Sequence, residues 1–486
     1  MTDSNLVQFS LVEETVWGTA PASPAMQLVR YTGEDLRYSI NNVQSQEINS
    51  DSQVSDLIQV DARVNGGYQF ELSYGAHDEQ MAGALRNSWV INPVRYNAGI
   101  ADSVITDAGT VASTYAVASG GASFVVGMLV RASGFDPVVA NNQVFRVASS
   151  TATTIVGATG LTAQVAPPGT ARLKVVGFQG AAGDITATAT GLATTTLNLT
   201  TLGIRPYDMI KIGGTAAGDR FATEALNTWV RVASAPTATT LPLDNLPAGW
   251  TTDAGAGKTI KVWTGDQLMN GATLRSFTVE KGYLGVATPL YIPLNGIIWD
   301  NFSLNIEPGA IVTGSLTCLG KAAGTATTTA LGGSYVPATT GDVINAVADV
   351  VQISEGGTII STATPVVGWS IQTTNSLFEG TAVGVMGLAR VGMGTFSATG
   401  TLQAYFETAS LAMYNKMIAG TATSLATVMR KGGAAYAIQF PKVKLAAGTP
   451  SAAGRDQFVI LDMEWTGMKD PLTGKTMLVN RFDYTE

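Results

Sequence analysis

Residues 68–89 read YQFELSYGAHDEQMAGALRNSW and predict a β-strand followed by a helix. In the first part, apolar side chains stand at every second position, as in a half-buried strand: Tyr68, Phe70, Leu72 and Tyr74. In the second part, one helical face is apolar and carries Met81, Leu85 and Trp89. Asp78 and Glu79 near the start and Arg86 near the end suit the helix dipole. This strand–helix unit is the starting point of the predicted fold.

A second copy of the strand–helix unit lies in the last quarter of the chain, in an alignment that sets Leu402 against Phe70. Its strand positions are Leu402, Ala404 and Phe406, its helix face is Ala409, Met413 and Met417, and Lys416 lies near the helix end. A looser match sets residues 316–320 against residues 463–467. We therefore predict a duplicated core unit. The alternative is a chance likeness, since many segments of a β-rich chain align with one another.

A different pair of repeats lies between the two strand–helix units. The segment NQVFRVASSTATTI at residues 142–155 recurs as NTWVRVASAPTATTL at residues 227–241, so that Arg146 corresponds to Arg231. The match indicates two tandem modules of about 80 residues, together covering 101–265. Short Val-, Ile- and Thr-rich runs separated by Gly, Pro, Asn and Asp predict that both are small antiparallel β modules.

The bulk composition suits an extended β protein that packs against neighbouring proteins. The chain has 486 residues, of which 13% are charged and 54 are glycine. This length exceeds one hydrophobic core, so we expect three or four domains. Cys318 is the single cysteine, which excludes an intrachain disulfide. Neither a signal peptide nor an apolar run of ~18 residues is apparent, so we expect synthesis in a cytoplasm without membrane insertion.

Acidic residues are concentrated in the first hundred positions. Residues 1–100 hold twelve Asp and Glu against five Arg, and the whole chain has a net charge of −8. Four of these carboxylates fall in one segment: Glu47, Asp51, Asp56 and Asp61. Residues 58–65 then alternate as a strand with Asp61 and Arg63 on its polar face. For any single carboxylate, a solvated strand face is the simplest interpretation.

Few residues suit catalysis or cofactor binding. His77 is the single histidine, which excludes a His/Cys metal cluster of the usual kind and leaves little basis for nucleophilic catalysis. No Gly-x-x-x-x-Gly-Lys-Ser/Thr phosphate loop occurs, and the glycines of residues 384–394 suit strand bends. The acidic balance argues against specific nucleic-acid binding. We expect no enzyme, metal or cofactor, although paired carboxylates for glycoside hydrolysis stay open.

Five segments outside the modules share the pattern of a known family. They are SQEINSDSQ (45–53), VNGGYQFELSYG (64–75), SFTVEK (276–281), LNGIIWDNFSLNI (294–306) and PGAIVTGS (308–315). Together with the helix after the second segment, they resemble the tail tube (major tail) proteins of long-tailed bacteriophages, the siphovirus type. The likeness covers most of residues 1–95 and 270–320, and the second half of the chain matches in pattern more than in letters.

The resemblance implies a structural protein of the virion tail, made in the host cytoplasm. Its fold would be a mainly β sandwich or barrel unit with a flanking helix. Hairpins of neighbouring subunits would join edge to edge around a channel, and rings would stack into a hollow tube for DNA ejection. The implied partners are further copies of the chain, the tape-measure protein and the tail terminator and tip proteins, while DNA passes without specific binding.

The two pairs of repeats predict the domain organisation. The first tube unit covers residues 1–100 and 266–325, the inserted modules cover 101–180 and 181–265, and the second tube unit covers 326–486. Two units per chain predict a trimeric ring, with a hexamer as the alternative, and we expect the modules to project outward. The candidate lumen-facing residues are Glu47, Asp51, Asp56, Asp61 and Arg63 on one hairpin and Arg390 on its counterpart at about 381–397, which lacks acidic residues.

Two other functions fit parts of the sequence. A multidomain β adhesin or carbohydrate-binding surface protein would suit the tandem modules, but export would require a leader. A glycan-cleaving tail enzyme would require a cleft with two carboxylates.

Overall fold

The computed structural model describes residues 3–48, 50, 53–97, 104–360, 366–408, 410–451 and 454–486. Among these residues there are two α-helices, and the strands form sheets of 20, 10, 5 and 2 strands. The predicted mainly β fold is therefore confirmed.

The N-terminal part contributes five strands to the largest sheet and ends in a helix. These elements are β1 (Val7–Glu13), β2 (Ala25–Leu28), β3 (Gly33–Glu34), β4 (Arg37–Gln44), β5 (Leu57–Glu71) and α1 (Asp78–Ala84). Tyr68, Phe70 and Leu72 are buried while Gln69 is exposed, which confirms the predicted alternation as far as Leu72. The alternation does not continue to Tyr74, because Ser73 is buried and Tyr74 is half-buried.

The next fifteen strands lie outside the largest sheet and form the sheets of ten and five strands. They are β6 (Val94–Tyr96), β7 (Ile105–Ala108), β8 (Thr114–Val117), β9 (Met128–Ser133), β10 (Val144–Arg146), β11 (Ser149–Ser150), β12 (Thr154–Val156), β13 (Gln164–Val165), β14 (Arg172–Gln179), β15 (Thr186–Thr188), β16 (Gly191–Ala193), β17 (Met209–Ile212), β18 (Trp229–Val232), β19 (Thr240–Asp244) and β20 (Lys261–Thr264). Each predicted module contains the same antiparallel pair, β9 with β10 and β17 with β18. Antiparallel pairing of β14 with β20 joins these pairs into one sheet.

The chain then returns to the largest sheet, apart from the small separate pair β30 and β31. The remaining elements are β21 (Asp266–Met269), β22 (Phe277–Tyr283), β23 (Leu290–Ile306), β24 (Thr313–Gly320), β25 (Ala322–Ala323), β26 (Ser334–Val336), β27 (Val350–Glu355), β28 (Thr358–Ile359), β29 (Val366–Thr374), β30 (Phe378–Gly380), β31 (Arg390–Gly392), β32 (Ser397–Tyr405), α2 (Leu411–Ala419), β33 (Thr423–Lys431), β34 (Ala434–Ala447), β35 (Pro450–Ser451), β36 (Ile460–Gly467) and β37 (Leu478–Phe482).

The two halves of the largest sheet repeat one strand order. In the first half the order is β2-β1-β22-β23-β24-β5-β4, and every pair is antiparallel. In the second half the order is β28-β27-β33-β34-β36-β32-β29, again antiparallel throughout. The helices also correspond, because α1 follows β5 and α2 follows β32. The predicted duplication of the core unit is confirmed.

Two irregularities of the sheet are duplicated as well. The β22–β23 ladder shifts register between Phe277 and Val279, and the β33–β34 ladder shifts between Thr423 and Leu425. A second shift at Trp299/Asn301 recurs at Leu445/Ala447, and the spacing between the two shifts is the same in both halves. A chance likeness does not reproduce bulges at matching positions, so that alternative explanation of the outer repeat is wrong.

Some details of the predicted strand–helix units are wrong. Helix α1 ends at Ala84 because Arg86 adopts a left-handed backbone, with φ of 54°, so Trp89 lies beyond the helix. Its indole packs back instead, and Nε1 donates to the carbonyl oxygen of Asp78 at 3.0 Å. In the second half, Phe406 follows β32 and is 37% exposed. Met413 is buried as predicted, whereas Ala409 lies outside the described residues.

One hydrophobic core serves both halves of the largest sheet. It includes buried tryptophans from each half, among them Trp299 and Trp465. A second core is shared by the two modules, from Ile105 to Val262. The modules also pack against the second half, where the ring of Trp229 lies 4.9 Å from that of Phe482 in an edge-to-face contact. The predicted domain boundaries stay a prediction, since the sheets show which strands associate and not where independent units begin.

Candidate assembly surfaces and channel hairpins

The first hairpin, formed by β4 and β5, exposes apolar side chains towards its tip. About half of each of these side chains is accessible: Ile40, Val43, Leu57, Ile58 and Val60. Towards the base of the hairpin, Ala62 and Val64 of β5 are buried in the core. Contiguous apolar surface on one hairpin is typical of a site that another molecule covers.

The predicted lumen residues of the first hairpin are only partly brought together. Glu47 is exposed, and Asp56 is also exposed, with Oδ1 accepting the amide of Leu57 at 2.7 Å. Asp51 lies outside the described residues. Asp61 and Arg63 form an ion pair, and Arg63 Nε donates to Asp61 Oδ2 at 3.2 Å.

Arg63 also connects the first hairpin to the second hairpin, which comprises β29, β32 and the segment between them. It pairs with Glu379 on β30, a residue that our sequence interpretation missed because it placed the acid-free counterpart at 381–397. The sequence alignment that sets Leu402 against Phe70 also sets Glu379 against Glu47, but the sheet register differs from it by two residues, so this match does not predict the contact. Hydrogen bonds to Asp61 and then to Glu379 raise the pKa of Arg63. Arg390 is exposed on β31, opposite Gly380 in the β30–β31 pair.

The intrachain seam is the antiparallel ladder between β23 of the first half and β29 of the second. Its register runs from Asn301 opposite Thr374 to Ile306 opposite Trp369. Buried Asn375 secures one end, where its Nδ2 donates to the carbonyl oxygens of Ala84 at 2.8 Å and Trp299 at 3.0 Å. The main-chain N–H of Asn375 also donates to the carbonyl oxygen of Asp300 at 3.0 Å. The two halves are thus one continuous sheet.

Several strand edges of this sheet have no ladder partner within the described part of the chain, including those of the short strands β26 and β28. Two of the open edges lie on counterparts of the seam strands. One is the outer edge of β4, whose other edge pairs with β5. The second belongs to residues 447–450, where Ala447 and Pro450 pair with β36 on one side only and Gly448 and Thr449 between them belong to no strand. Unpaired edges present free N–H and C=O groups that attract further strands.

The C-terminal clamp, which is β37 with residues 483–486, ties the modules to both halves. Arg481 Nε donates to Asp266 Oδ2 at 2.9 Å, and Arg481 Nη1 donates to Asp78 Oδ2 at 2.5 Å. Lys174 of the first module reaches the same Asp266 oxygen at 2.7 Å. Burial raises the pKa of Asp266, but Lys174 and Arg481 outweigh it and hold that pKa below its ordinary value.

The residues considered for chemistry are packed as structural residues. His77 is buried, its Nδ1 lies 3.2 Å from the Tyr68 hydroxyl, and burial lowers its pKa to about 3. Cys318 is buried too, and burial raises the pKa of its thiol. Within the described ranges, no group of three or more His, Cys, Asp or Glu side chains is placed to hold a metal ion. No helix in the same part of the chain is long and apolar enough to cross a membrane.

A duplicated, mainly antiparallel sheet with open edges and an exposed apolar hairpin is typical of a structural β protein that other molecules cover. A family model described as phage tail tube protein matches residues 4–248 and, a second time, residues 230–467. The chain therefore belongs to the phage tail tube protein family and is a structural component of the virion tail, with a duplicated tube unit. A search of curated proteins finds no match.

Proposed function

We propose that copies of this chain close into rings around a channel, that the rings stack into the tail tube, and that DNA passes through it into the host cell. The observation that carries this proposal is that the counterparts of both seam strands have an open edge, one on β4 and the other on residues 447–450. An open edge at each of these two places allows each copy to pair with two others, as a closed ring requires.

The proposed ring contains three chains, because each chain supplies two equivalent units joined by the intrachain seam. The division into units at 1–100 with 266–325 and at 326–486, with modules at 101–180 and 181–265, is part of this proposal. We place the first and second hairpins at the channel and the modules on the outer side. Tape-measure, terminator and tip proteins would be the other partners, and neither the tube nor its modules would catalyse a reaction.

A mildly negative channel would allow DNA to slide, since like charges repel phosphate within a Debye length of about 8 Å at physiological salt. The exposed Glu47 and Asp56 support this sign, and Arg63 is neutralised by Asp61 and Glu379, whereas the exposed Arg390 on the second hairpin opposes it.

Electron microscopy of the purified full chain tests the proposal. We expect hollow tubes whose rings show three chains and approximate sixfold symmetry in class averages. Dispersed monomers at high protein concentration would contradict ring formation, and six chains per ring would contradict the trimer.

A further inference from the structure

The intrachain seam provides a template for the contact between chains, because both of its strands have counterparts in the other half of the duplicated sheet. The shared bulges set β34 against β23, so that Ala447 corresponds to Asn301. Strands β4 and β29 correspond in the same way. The pair Arg37–Asn65 between β4 and β5 matches the pair Gln372–Thr399 between β29 and β32. This match follows from the alignment of β5 with β32, in which the pair Tyr68–Leu316 corresponds to the pair Leu402–Met463.

The counterparts of both seam strands have an open edge. The seam uses residues 301–306 on the edge opposite β24, and among the described residues the counterparts 447–450 are unpaired on the edge opposite β36. On the other strand, the seam uses the outer edge of β29, and the outer edge of β4 is likewise unpaired among the described residues.

Resting on the proposed function, we propose that residues 447–449 of one copy pair antiparallel with residues 39–37 of the next copy. The register places Ala447 opposite Ser39, Gly448 opposite Tyr38, and Thr449 opposite Arg37. The occupant of each open edge is thus a second copy of this chain.

Side-chain sizes fit this register. In the intrachain seam, the large Phe302 of β23 lies opposite the small Thr373 of β29. In the proposed contact the sizes are reversed, because the small Gly448 takes the place of Phe302 and the large Tyr38 takes the place of Thr373. At the end of the seam, Asp300 and Asn375 correspond to Ala446 and Ile40. The polar contact is replaced by an apolar one, which gives the 52% exposed Ile40 a partner.

The ladder has a natural end at Leu36, which the same correspondence sets opposite Pro450. Proline has no amide to donate. Leu36 needs no hydrogen-bond partner on the next strand. Its main-chain N–H donates to Glu34 Oε2 at 2.9 Å, and its carbonyl oxygen accepts a hydrogen bond from Lys281 Nζ at 2.6 Å. Each strand therefore lacks a ladder bond at the same position.

Disulfide trapping tests the register in the full chain. The variant carrying Ser39→Cys and Ala447→Cys should form covalent dimers and trimers on mild oxidation, because directly opposite Cβ atoms lie about 4.5–5.5 Å apart. The matched control carries Ser39→Cys and Thr449→Cys, a diagonal pair about 7–8 Å apart, and should cross-link at least tenfold less. Cys318 is buried and does not compete.

Tubes that show no cross-link in the first variant, or equal cross-linking in both, would overturn the proposed register while leaving the tube itself intact. If the unmodified chain forms neither rings nor tubes, the proposed function fails instead. Hydrogen exchange of unmodified protein is the second measurement. Peptides containing Tyr38 and Gly448 should gain protection on assembly, and unchanged exchange there in assembled tubes would overturn the proposal.

Discussion

His77 makes the stability of this protein depend on pH. The imidazole is buried against Phe70, with ring centroids 4.0 Å apart, and its pKa of about 3 lies below the ordinary value of 6.5. Between these two values the folded chain binds fewer protons than the unfolded chain. Stability therefore decreases as the pH falls below 6.5, and the loss is complete below about 3.

The variant His77→Phe should remove this part of the pH dependence. At pH 5 the neutral, buried imidazole lowers the free energy of unfolding by about 2 kcal/mol relative to pH 7. We expect urea unfolding of the unassembled chain to show a pH 7 to pH 5 difference that is smaller by about this amount in the variant. Tyr68→Phe is the control, because it removes the hydrogen bond and keeps the titrating ring. An unchanged pH dependence in His77→Phe would show that His77 does not cause the loss of stability between pH 7 and pH 5.

At the scale of single elements, β37 joins three parts of the molecule. It pairs with β34 on one edge and with β21 on the other, and Arg481 lies between two carboxylates in its ion-pair network. The guanidinium also stacks on Trp89 at 4.4 Å. Asp266 is fully buried, so its charge depends on these partners.

Arg481→Met should lower the free energy of unfolding by about 3–5 kcal/mol, because it leaves buried Asp78 without its cation and leaves buried Asp266 with Lys174 alone. The control is Arg220→Met, which removes a 40% exposed arginine from a 3.7 Å pair with Glu224. That change should cost less than about 1 kcal/mol. Thermal or urea unfolding measures both, and similar effects in the two variants would argue against the clamp.

Sequence periodicity predicts the strands and the duplication because burial of one sheet face repeats every second residue. Phe70 and Leu72 illustrate this success. Trp89 does not follow its helical pattern, since the left-handed turn at Arg86 is a local backbone choice that apolar spacing does not encode. The sequence alignment also sets Leu402 against Phe70, whereas the sheet register sets it against Tyr68. A slip by one full period of the strand leaves the same face buried, so apolar alternation alone does not detect it.

The candidate site was predicted less completely than the fold. Asp61 and Arg63 were singled out by their places on a polar strand face, and the structure pairs them. Glu379 was missed because its contact with Arg63 depends on how the second hairpin packs across the first. Such contacts join residues that are far apart in the chain, and strand periodicity carries no information about them.

At the scale of the whole molecule, the modules and the tube core meet through an apolar contact. Met209 and Trp229 cover Val428, Ala435, Ala437 and Phe482. The open edges proposed for the ring contact lie elsewhere, on β4 and residues 447–450. Removal of the modules should therefore affect solubility more than ring formation.

Deletion of residues 101–265 should still allow rings but should cause aggregation, because it uncovers this patch. Combining the deletion with Val428→Thr and Phe482→Thr should restore soluble rings. Light scattering and electron microscopy of the two deletion variants measure the outcomes. Soluble deletion variants that form no rings would show that the modules contribute to the ring contact.

The ladder between β23 and β29 belongs to a single polypeptide, so dilution cannot separate its two strands. Their effective concentration is set by the connecting chain and stays constant however little protein is present. In the proposed trimer, three of six equivalent joints are therefore made before any subunits meet. The presence of two units in one chain thus lowers the molecularity of closure from six bodies to three, and the critical concentration for growth should be correspondingly low.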